Sequence, residues 1–166
     1  MDYLKMGMEW LSSSYSNYQE NQRNLQHQRE MNQLHSECNY AQLHLQSALG
    51  NILKTATISS QLCSIHYPTD LIISGYDIRT ETAVYSFSWI KSDSEHIYSP
   101  SACQKLKHKI NSAINAERFR YRAIFQILND YEKIEFVNNN RALYNGFHVV
   151  DVIDDVDSII LKVTFD

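Results

Sequence analysis

The chain has 166 residues, of which 43% are hydrophobic and 20% charged, and its formal net charge is −4. This composition excludes a largely disordered chain, and the acidic balance argues against a general binder of polyanions, which normally carries a basic excess. The longest apolar runs are far shorter than the roughly 20 residues of a membrane-spanning helix. The four isolated glycines exclude the familiar glycine-rich phosphate loops.

The number of cysteines indicates the cellular compartment. Cys38, Cys63 and Cys103 form an odd set, and the chain does not open with a basic and then apolar signal. This combination is typical of reduced thiols in the cytosol. The sequence therefore predicts a cytoplasmic protein with a helical N-terminal region at 1–66 and an α+β body at 67–166, together forming one folding unit.

The sequence of the N-terminal region predicts either one long helix or a helical hairpin. No proline precedes Pro68, so nothing in the backbone forces an early helix to stop. Apolar residues recur at alternating spacings of three and four, which is the pattern of helix-to-helix packing. These positions are Met31, Leu34, Cys38, Ala41, Leu45, Ala48 and Ile52.

A second heptad frame runs earlier, through Leu4, Met8, Leu11, Tyr15, Tyr18, the polar Gln22 and Leu25. The two frames do not join, so the apolar stripe either rotates along one helix or breaks between two helices at 24–30. Few charges flank either frame, although such charges usually specify coiled-coil partners. Docking against the protein's own body and formation of a homo-oligomeric coiled coil therefore both remain open.

The body predicts a small antiparallel sheet of about five strands with one central helix, in the order α-β-β-α-β-β-β. The helix is expected at 100–129, because Ser99 is a good N-cap and Pro100 suits the first helical position. Asp154 to Asp157 are expected to form the last hairpin turn, and 138–146 a long polar loop. Alternating apolar residues place the strands at 71–78, 83–90, 133–137, 147–153 and 158–165.

The central helix carries apolar residues on two sides. The main stripe begins at Cys103 and ends at Leu128. A weaker stripe on the other side contains Ala116, Phe119, Ala123 and Ile127. Such a helix is expected to be sandwiched, with the N-terminal helix as its second neighbour.

An acidic group near the C-terminal end is the densest set of candidate metal ligands, because oxygen clusters suit Mg²⁺ or Ca²⁺. It consists of Asp151, Asp154, Asp155 and Asp157. The spacing of a calcium-binding EF-hand is missing, and Asp is also a favoured turn residue, so solvated turn carboxylates are the simpler interpretation. No set of histidines and cysteines has the spacing of a zinc site.

The central helix is also basic. Residues 100–129 contain six Lys and Arg residues against Glu117 alone, which suggests a nucleic-acid surface. On a helical wheel Lys107, Arg118 and Arg122 lie on one flank, and the other three cations lie on the opposite flank. Residues 130–166 carry eight acids against three bases, so we expect the acidic strands to neutralise part of this charge.

By elimination, the sequence predicts a non-enzymatic protein-interaction module without a cofactor, such as an adaptor, inhibitor or antagonist of a larger machine. Its partner is an unidentified protein or a second copy bound through the N-terminal helix. The expected interaction residues are Leu11, Tyr15, Tyr18, Leu34, Cys38, Leu45 and Ile52. The alternatives are a nucleic-acid-binding accessory protein that uses Lys107, Arg118 and Arg122, and a metal-dependent enzyme at the 151–157 turn.

Overall fold

A computed structural model describes residues 3–58, 73–79, 84–91 and 97–166 of the chain, with side chains for residues 13–54, 73, 84–91 and 97–166. The contacts divide the chain into two units, Met1–Tyr40 and Ala41–Asp166. The division falls inside the first helix. The boundary expected near residue 66 lies outside the described residues.

The N-terminal region forms one helix, α1, at Tyr3–Ile58. It continues through residues 24–30, so the offset between the two heptad frames does not break it. The frames therefore place apolar residues on different faces of one helix. Without proline, and with only Gly7 and Gly50 in this stretch, the backbone contains no strong helix breaker.

The described body contains four strands and three further helices in the order β1, β2, α2, α3, α4, β3, β4. The strands are β1 at Ile73–Arg79, β2 at Val84–Ile90, β3 at Phe147–Asp155 and β4 at Ser158–Phe165. The helices are α2 at Pro100–Gln126, α3 at Asp130–Asn139 and α4 at Arg141–Asn145. An α+β fold with a long N-terminal helix and a small antiparallel sheet is thus confirmed.

The four strands form one antiparallel sheet in the order β1-β2-β4-β3. The alternation expected for β2 is confirmed, because Tyr85, Phe87 and Trp89 are buried and the residues between them are not. In β3 the register shifts between Val149 and Asp151. This irregularity moves the buried side chains from odd to even positions, since an extra residue reverses the alternation that follows it.

The core lies where α1 and α2 meet the buried face of the sheet. From α1 it receives Leu45, Leu49, Ile52 and Leu53, and from α2 Cys103, Leu106, Ile110 and Ile114. Asn111 of α2 ties the helix to β3, because its amide group bonds both the carbonyl oxygen (3.0 Å) and the N–H (2.8 Å) of Val149. The expected main stripe of the central helix is therefore buried from Cys103 to Ile114, and its later members, from Tyr121 to Leu128, are half-buried.

The beginning of α2 is also as expected. The Ser99 hydroxyl accepts a hydrogen bond from the Ala102 amide at 3.2 Å, and Pro100 occupies the first turn. Proline costs nothing there, because the first amides of a helix have no partner within the helix. The expectation that both sides of α2 are covered is wrong, since Ala116, Phe119, Ala123 and Ile127 are all exposed.

The strand expected at 133–137 is wrong, because these residues belong to helix α3. Asn129 caps that helix by accepting the Glu132 amide at 2.8 Å, and its own amide donates to the Glu132 carboxylate. This reciprocal bonding satisfies the free end of a helix and favours it over an isolated short strand. The expected polar loop at 138–146 is likewise mostly helical, and the described sheet has four strands rather than about five.

The turn expected at Asp154 to Asp157 connects β3 and β4. Val156 within it has φ = 54°, a conformation that is unfavourable for a β-branched residue. The Asp154 carboxylate accepts the Val156 amide at 3.1 Å. This local bond, typical of Asp in turns, helps to hold the valine in its strained conformation.

Candidate functional site

The most distinctive surface is the exposed part of α1 in the first unit. Every residue from 13 to 37 is exposed, including large apolar side chains. Five of them, Tyr15, Tyr18, Leu25, Met31 and Leu34, have exposed fractions between 44 and 64%. Runs of exposed apolar side chains on soluble proteins commonly mark interaction surfaces.

This segment has little internal stabilisation. Three side-chain hydrogen bonds span one helical turn, namely Gln19 to Tyr15, Gln26 to Glu30 and Gln33 to Glu37, at 3.1–3.3 Å. Each such pair contributes only about 0.2–0.5 kcal/mol to an isolated helix. Asn, Ser and His, which are frequent here, are also weaker helix formers than Ala, Leu or Glu. Most helical stability in proteins instead comes from packing one face of the helix.

The exposed apolar residues are not scattered at random around the helix. Tyr15, Tyr18, Gln22 and Leu25 follow one another at spacings of three, four and three, so they share one face. We call these four residues the seam. Met31 and Leu34 belong to the second heptad frame and lie on a different face. The seam therefore stands as a separate apolar surface of the first unit.

The predicted interaction residues fall into three groups. Tyr15, Tyr18 and Leu34 are exposed, Cys38 is half-buried, and the side chain of Leu11 lies outside the described residues. Leu45 and Ile52 are buried in the core of the second unit. The later part of the second frame thus packs against the body, whereas the seam has no covering partner among the described residues.

The basic residues of α2 are partly neutralised within the fold, as expected. Arg118 forms an ion pair with Asp166 at 2.5 Å. These two side chains lie so close to Gly146 that they leave no room for a Cβ there, and the positive φ of Gly146 also favours glycine. His148 contacts the other carboxylate oxygen of Asp166 at 2.7 Å. Of the three predicted nucleic-acid contacts, only Arg122 is fully exposed, since Lys107 and Arg118 are half-buried.

The acidic turn does not form a metal site among the residues that the structure describes. Asp154 binds the ammonium group of Lys91 at 2.8 Å and also accepts the Tyr98 amide. Asp151 accepts the amide of Val152 at 2.9 Å, while Asp155 and Asp157 are exposed. The structure therefore uses Asp154 as an internal counter-ion, a role that sequence spacing could not reveal because its partner is far away in the chain.

This ion pair is buried. The side chains of Lys91 and Asp154 have exposed fractions of 0 and 10%. Burial alone would raise the pKa of the Asp154 carboxyl, but the hydrogen bonds from Lys91, Tyr98 and Val156 outweigh it, and the pKa is lowered from its ordinary value. The pair links the end of β2 to the β3–β4 turn.

The buried thiol of Cys103 is not an activated nucleophile. Cys103 is buried, and its burial raises the pKa of the thiol, with a further rise from the nearby Asp154 charge. A thiol of this kind is protonated at neutral pH and unreactive. Cys38 is a free, half-buried thiol, and Cys63 lies outside the described residues.

A polar cleft lies between α1, α2 and the junction of α3 with α4. Glu117 and Arg141 give its rim charged groups of both signs, and His44 also lines it. Glu117 already bonds to Arg120 at 2.5 Å, and Arg141 bonds to Asn138 at 3.3 Å. The charged groups are thus engaged within the chain, and the arrangement lacks the nucleophile-and-base pairing of a catalytic site.

Sequence reasoning did not identify two features. One is Gln42, which is fully buried and whose amide nitrogen and oxygen have no hydrogen-bond partner in the described part of the chain. The other is the exposed apolar stripe of α3, which contains Tyr131 and Ile134. The weaker stripe of α2 was visible in the sequence, but its exposure could not be read from spacing alone.

Comparison of the chain with protein-family models, curated proteins and solved structures finds no match. Among the described helices, none is both long and apolar enough to cross a membrane.

Proposed function

We propose that this protein is a non-enzymatic protein-interaction module that associates through the exposed segment of α1, and that the occupant of its seam is a second copy of the same chain. The observation that supports this most directly is the continuous exposure of residues 13–37 together with an apolar seam. A helix of this length and composition gains most of its stability from packing. A helical partner supplies that packing.

The spacing of the seam favours another helix as the partner. Tyr15, Tyr18, Gln22 and Leu25 occupy alternating positions of a heptad, where side chains of two helices interlock. In a parallel pair Gln22 would face Gln22, and a single polar residue at such a position commonly fixes the register and the number of strands. Burial of each large apolar side chain contributes about 1.5–3 kcal/mol.

The charge of the segment is compatible with self-association. Residues 13–37 contain Glu20, Glu30 and Glu37 against Arg23 and Arg29. Two copies therefore meet with little net repulsion. The segment has almost no net charge, so it offers a highly charged protein no surface of opposite sign to bind. A second copy therefore fits it better.

The test places a charge in the seam. Tyr18→Glu combined with Leu25→Glu is expected to remove the association made by the seam and so to lower the mass at a given protein concentration, because a carboxylate in an apolar seam loses its hydration without gaining a partner. Helical content measured by circular dichroism should fall as well, since the segment loses its packing. Light scattering coupled to size-exclusion chromatography measures the mass.

The matched control is Asn17→Glu with Asn24→Glu. It adds the same charge at the same spacing one residue earlier, outside the seam. The control should keep the mass and helical content of the wild type. A wild-type monomer at high concentration, or a seam variant with unchanged mass, would overturn the proposal.

A further inference from the structure

The exposed side of α2 combines apolar and basic side chains. An exposed stripe runs along the second half of the helix and ends at its C-cap, Ile127. Its other members are Ala116, Phe119 and Ala123. Arg120 and Arg122 flank this stripe on its two sides. We call these six residues the basic face.

The exposed side of α3 has the opposite charge. Tyr131 and Ile134 lie one turn apart on this helix, and Asp130 and Glu135 flank them. We call these four residues the acidic face. The large apolar residues of the two faces, Phe119, Ile127, Tyr131 and Ile134, have exposed fractions between 65 and 83%.

The two faces point away from each other. Helices α2 and α3 contact through Phe136, whose ring centroid lies 5.4 Å from that of Tyr121 and 6.4 Å from that of Phe125. Lys133 also lies over the Phe125 ring, at 5.1 Å. Each contacting residue is two positions from a stripe residue, and two positions on an α-helix are separated by about 200°. Each stripe therefore lies on the side of its helix opposite the other helix.

We propose that the basic face of one copy binds the acidic face of another, so that the chain associates head to tail. Both faces have an apolar centre, and their flanking charges are opposite in sign. Arg122 of one copy can meet a carboxylate of the next, and Arg120, which is paired with Glu117 of its own helix, adds a second cation at the rim of the contact. The aromatic and aliphatic side chains of the two faces then bury each other. The two complementary surfaces belong to the same molecule, which makes a second copy the fitting occupant.

The geometry determines the kind of assembly. A contact between two different surfaces is heterologous, and it produces rings or open chains rather than a closed dimer. This differs from the seam of α1, where identical surfaces meet. The head-to-tail contact is independent of the seam because all of its residues lie in the second unit.

The size of the faces predicts a weak contact. Two large side chains of roughly 150 Å² each per face give roughly 600 Å² of apolar surface for the two faces together. Transient contacts typically bury less than about 1,200 Å² in total. The association should therefore depend strongly on protein concentration, and it should weaken with salt because exposed charges flank the apolar centre.

A nucleic acid fits the basic face less well. The large residue at the end of its stripe is Ile127, which offers no ring for stacking on a base. A nucleic acid bound to the basic face would also leave the exposed Tyr131 and Ile134 of the acidic face uncovered. Absorbance at 260 nm from copurified material would show that a nucleic acid is bound.

The experiment uses the full chain carrying Tyr18→Glu and Leu25→Glu, so that the seam does not contribute. One variant adds Phe119→Ser and Ile127→Ser, which remove the apolar centre of the basic face. A second variant instead adds Tyr131→Ser and Ile134→Ser on the acidic face. Sedimentation velocity follows the mass of each variant alone and of an equimolar mixture over a range of concentrations.

The parent chain should form oligomers of increasing size as its concentration rises, whereas each serine variant alone should remain monomeric. The mixture should form a dimer and nothing larger, because only one intact pair of complementary faces is present. Val150→Ser with Ile153→Ser is the control, since it replaces two exposed apolar residues of β3 and should leave association unchanged.

Three results would overturn the head-to-tail contact. The first is a parent chain that stays monomeric at all concentrations. The second is a mixture of the serine variants that does not associate. The third is a parent chain that carries nucleic acid which the basic-face variant releases. None of them bears on the seam, whose own test measures the chain with both faces intact.

Discussion

Gln42 shows how a single buried residue can lower stability. Its amide is fully buried without a hydrogen-bond partner in the described structure, and an amide in that position costs about 1–3 kcal/mol. Leucine has a similar volume and no polar atom. Gln42→Leu should therefore raise the free energy of unfolding by about 1–3 kcal/mol, measured by urea denaturation.

Gln104 provides the matched control for this prediction, since it is an exposed residue of α2. Gln104→Leu should change the free energy of unfolding by less than about 0.5 kcal/mol, as surface substitutions usually do. Destabilisation by Gln42→Leu would mean that the amide is bonded in solution, for example to an internal water molecule.

Asp154 makes stability depend on pH. Its pKa is lowered in the folded protein, mainly because the bonds from Lys91 and Tyr98 outweigh the effect of burial. A depressed carboxyl pKa stabilises the fold above the unfolded pKa of about 3.9. That contribution is lost as the pH falls through the folded pKa, because protonation removes the charge that Lys91 requires.

Urea denaturation between neutral and acidic pH measures this effect. Asp154→Asn should lower stability at neutral pH by about 3–5 kcal/mol, since it leaves Lys91 buried without its carboxylate. Its stability should then fall less steeply than that of the wild type as the medium becomes acidic. Asp155→Asn, at an exposed position, should follow the wild-type slope, and a parallel slope for Asp154→Asn would contradict the argument.

At the scale of elements, the sequence predicts a helix or strand correctly where a single local pattern, such as strict alternation or a helix cap, is strong. The alternation of Tyr85, Phe87 and Trp89 correctly predicts β2, and Ser99 with Pro100 correctly predicts the start of α2. The strand predicted at Lys133 to Val137 is wrong because five residues are too few to separate a strand from a short helix by periodicity. The cap formed by Asn129 and Glu132, a sequence-local signal, could have corrected it.

Other features could not be predicted because they depend on residues far apart in the sequence. The Lys91 and Asp154 side chains meet across 63 positions, and neither residue carries a mark of that pairing. The two stripes of α2 are equally plausible as buried surfaces in the sequence, and only the packing of α1 and the sheet decides which is covered. The candidate seam was predictable from its heptad spacing, whereas its exposure was not.

For the whole molecule, the two units suggest different contributions to stability. The hydrophobic core consists of residues from Leu45 onward, whereas the described side chains before Glu37 are exposed. The first unit therefore contributes little apolar burial to the folding of the second. Its helical segment serves association in our proposal, and none of the described core residues lies in it.

This separation predicts that a chain beginning at Glu37 folds by itself. About two helical turns then precede Leu45, the first core residue, which limits fraying there. Its thermal unfolding should remain cooperative, with a midpoint within about 4 °C of that of the full chain, because a change of about 1 kcal/mol shifts a domain of this size by a few degrees. Calorimetry measures both properties, with the seam variant Tyr18→Glu with Leu25→Glu as a full-length reference that also lacks the seam contact. Loss of cooperative unfolding in the shortened chain alone would show that the first unit contributes to folding as well as to association.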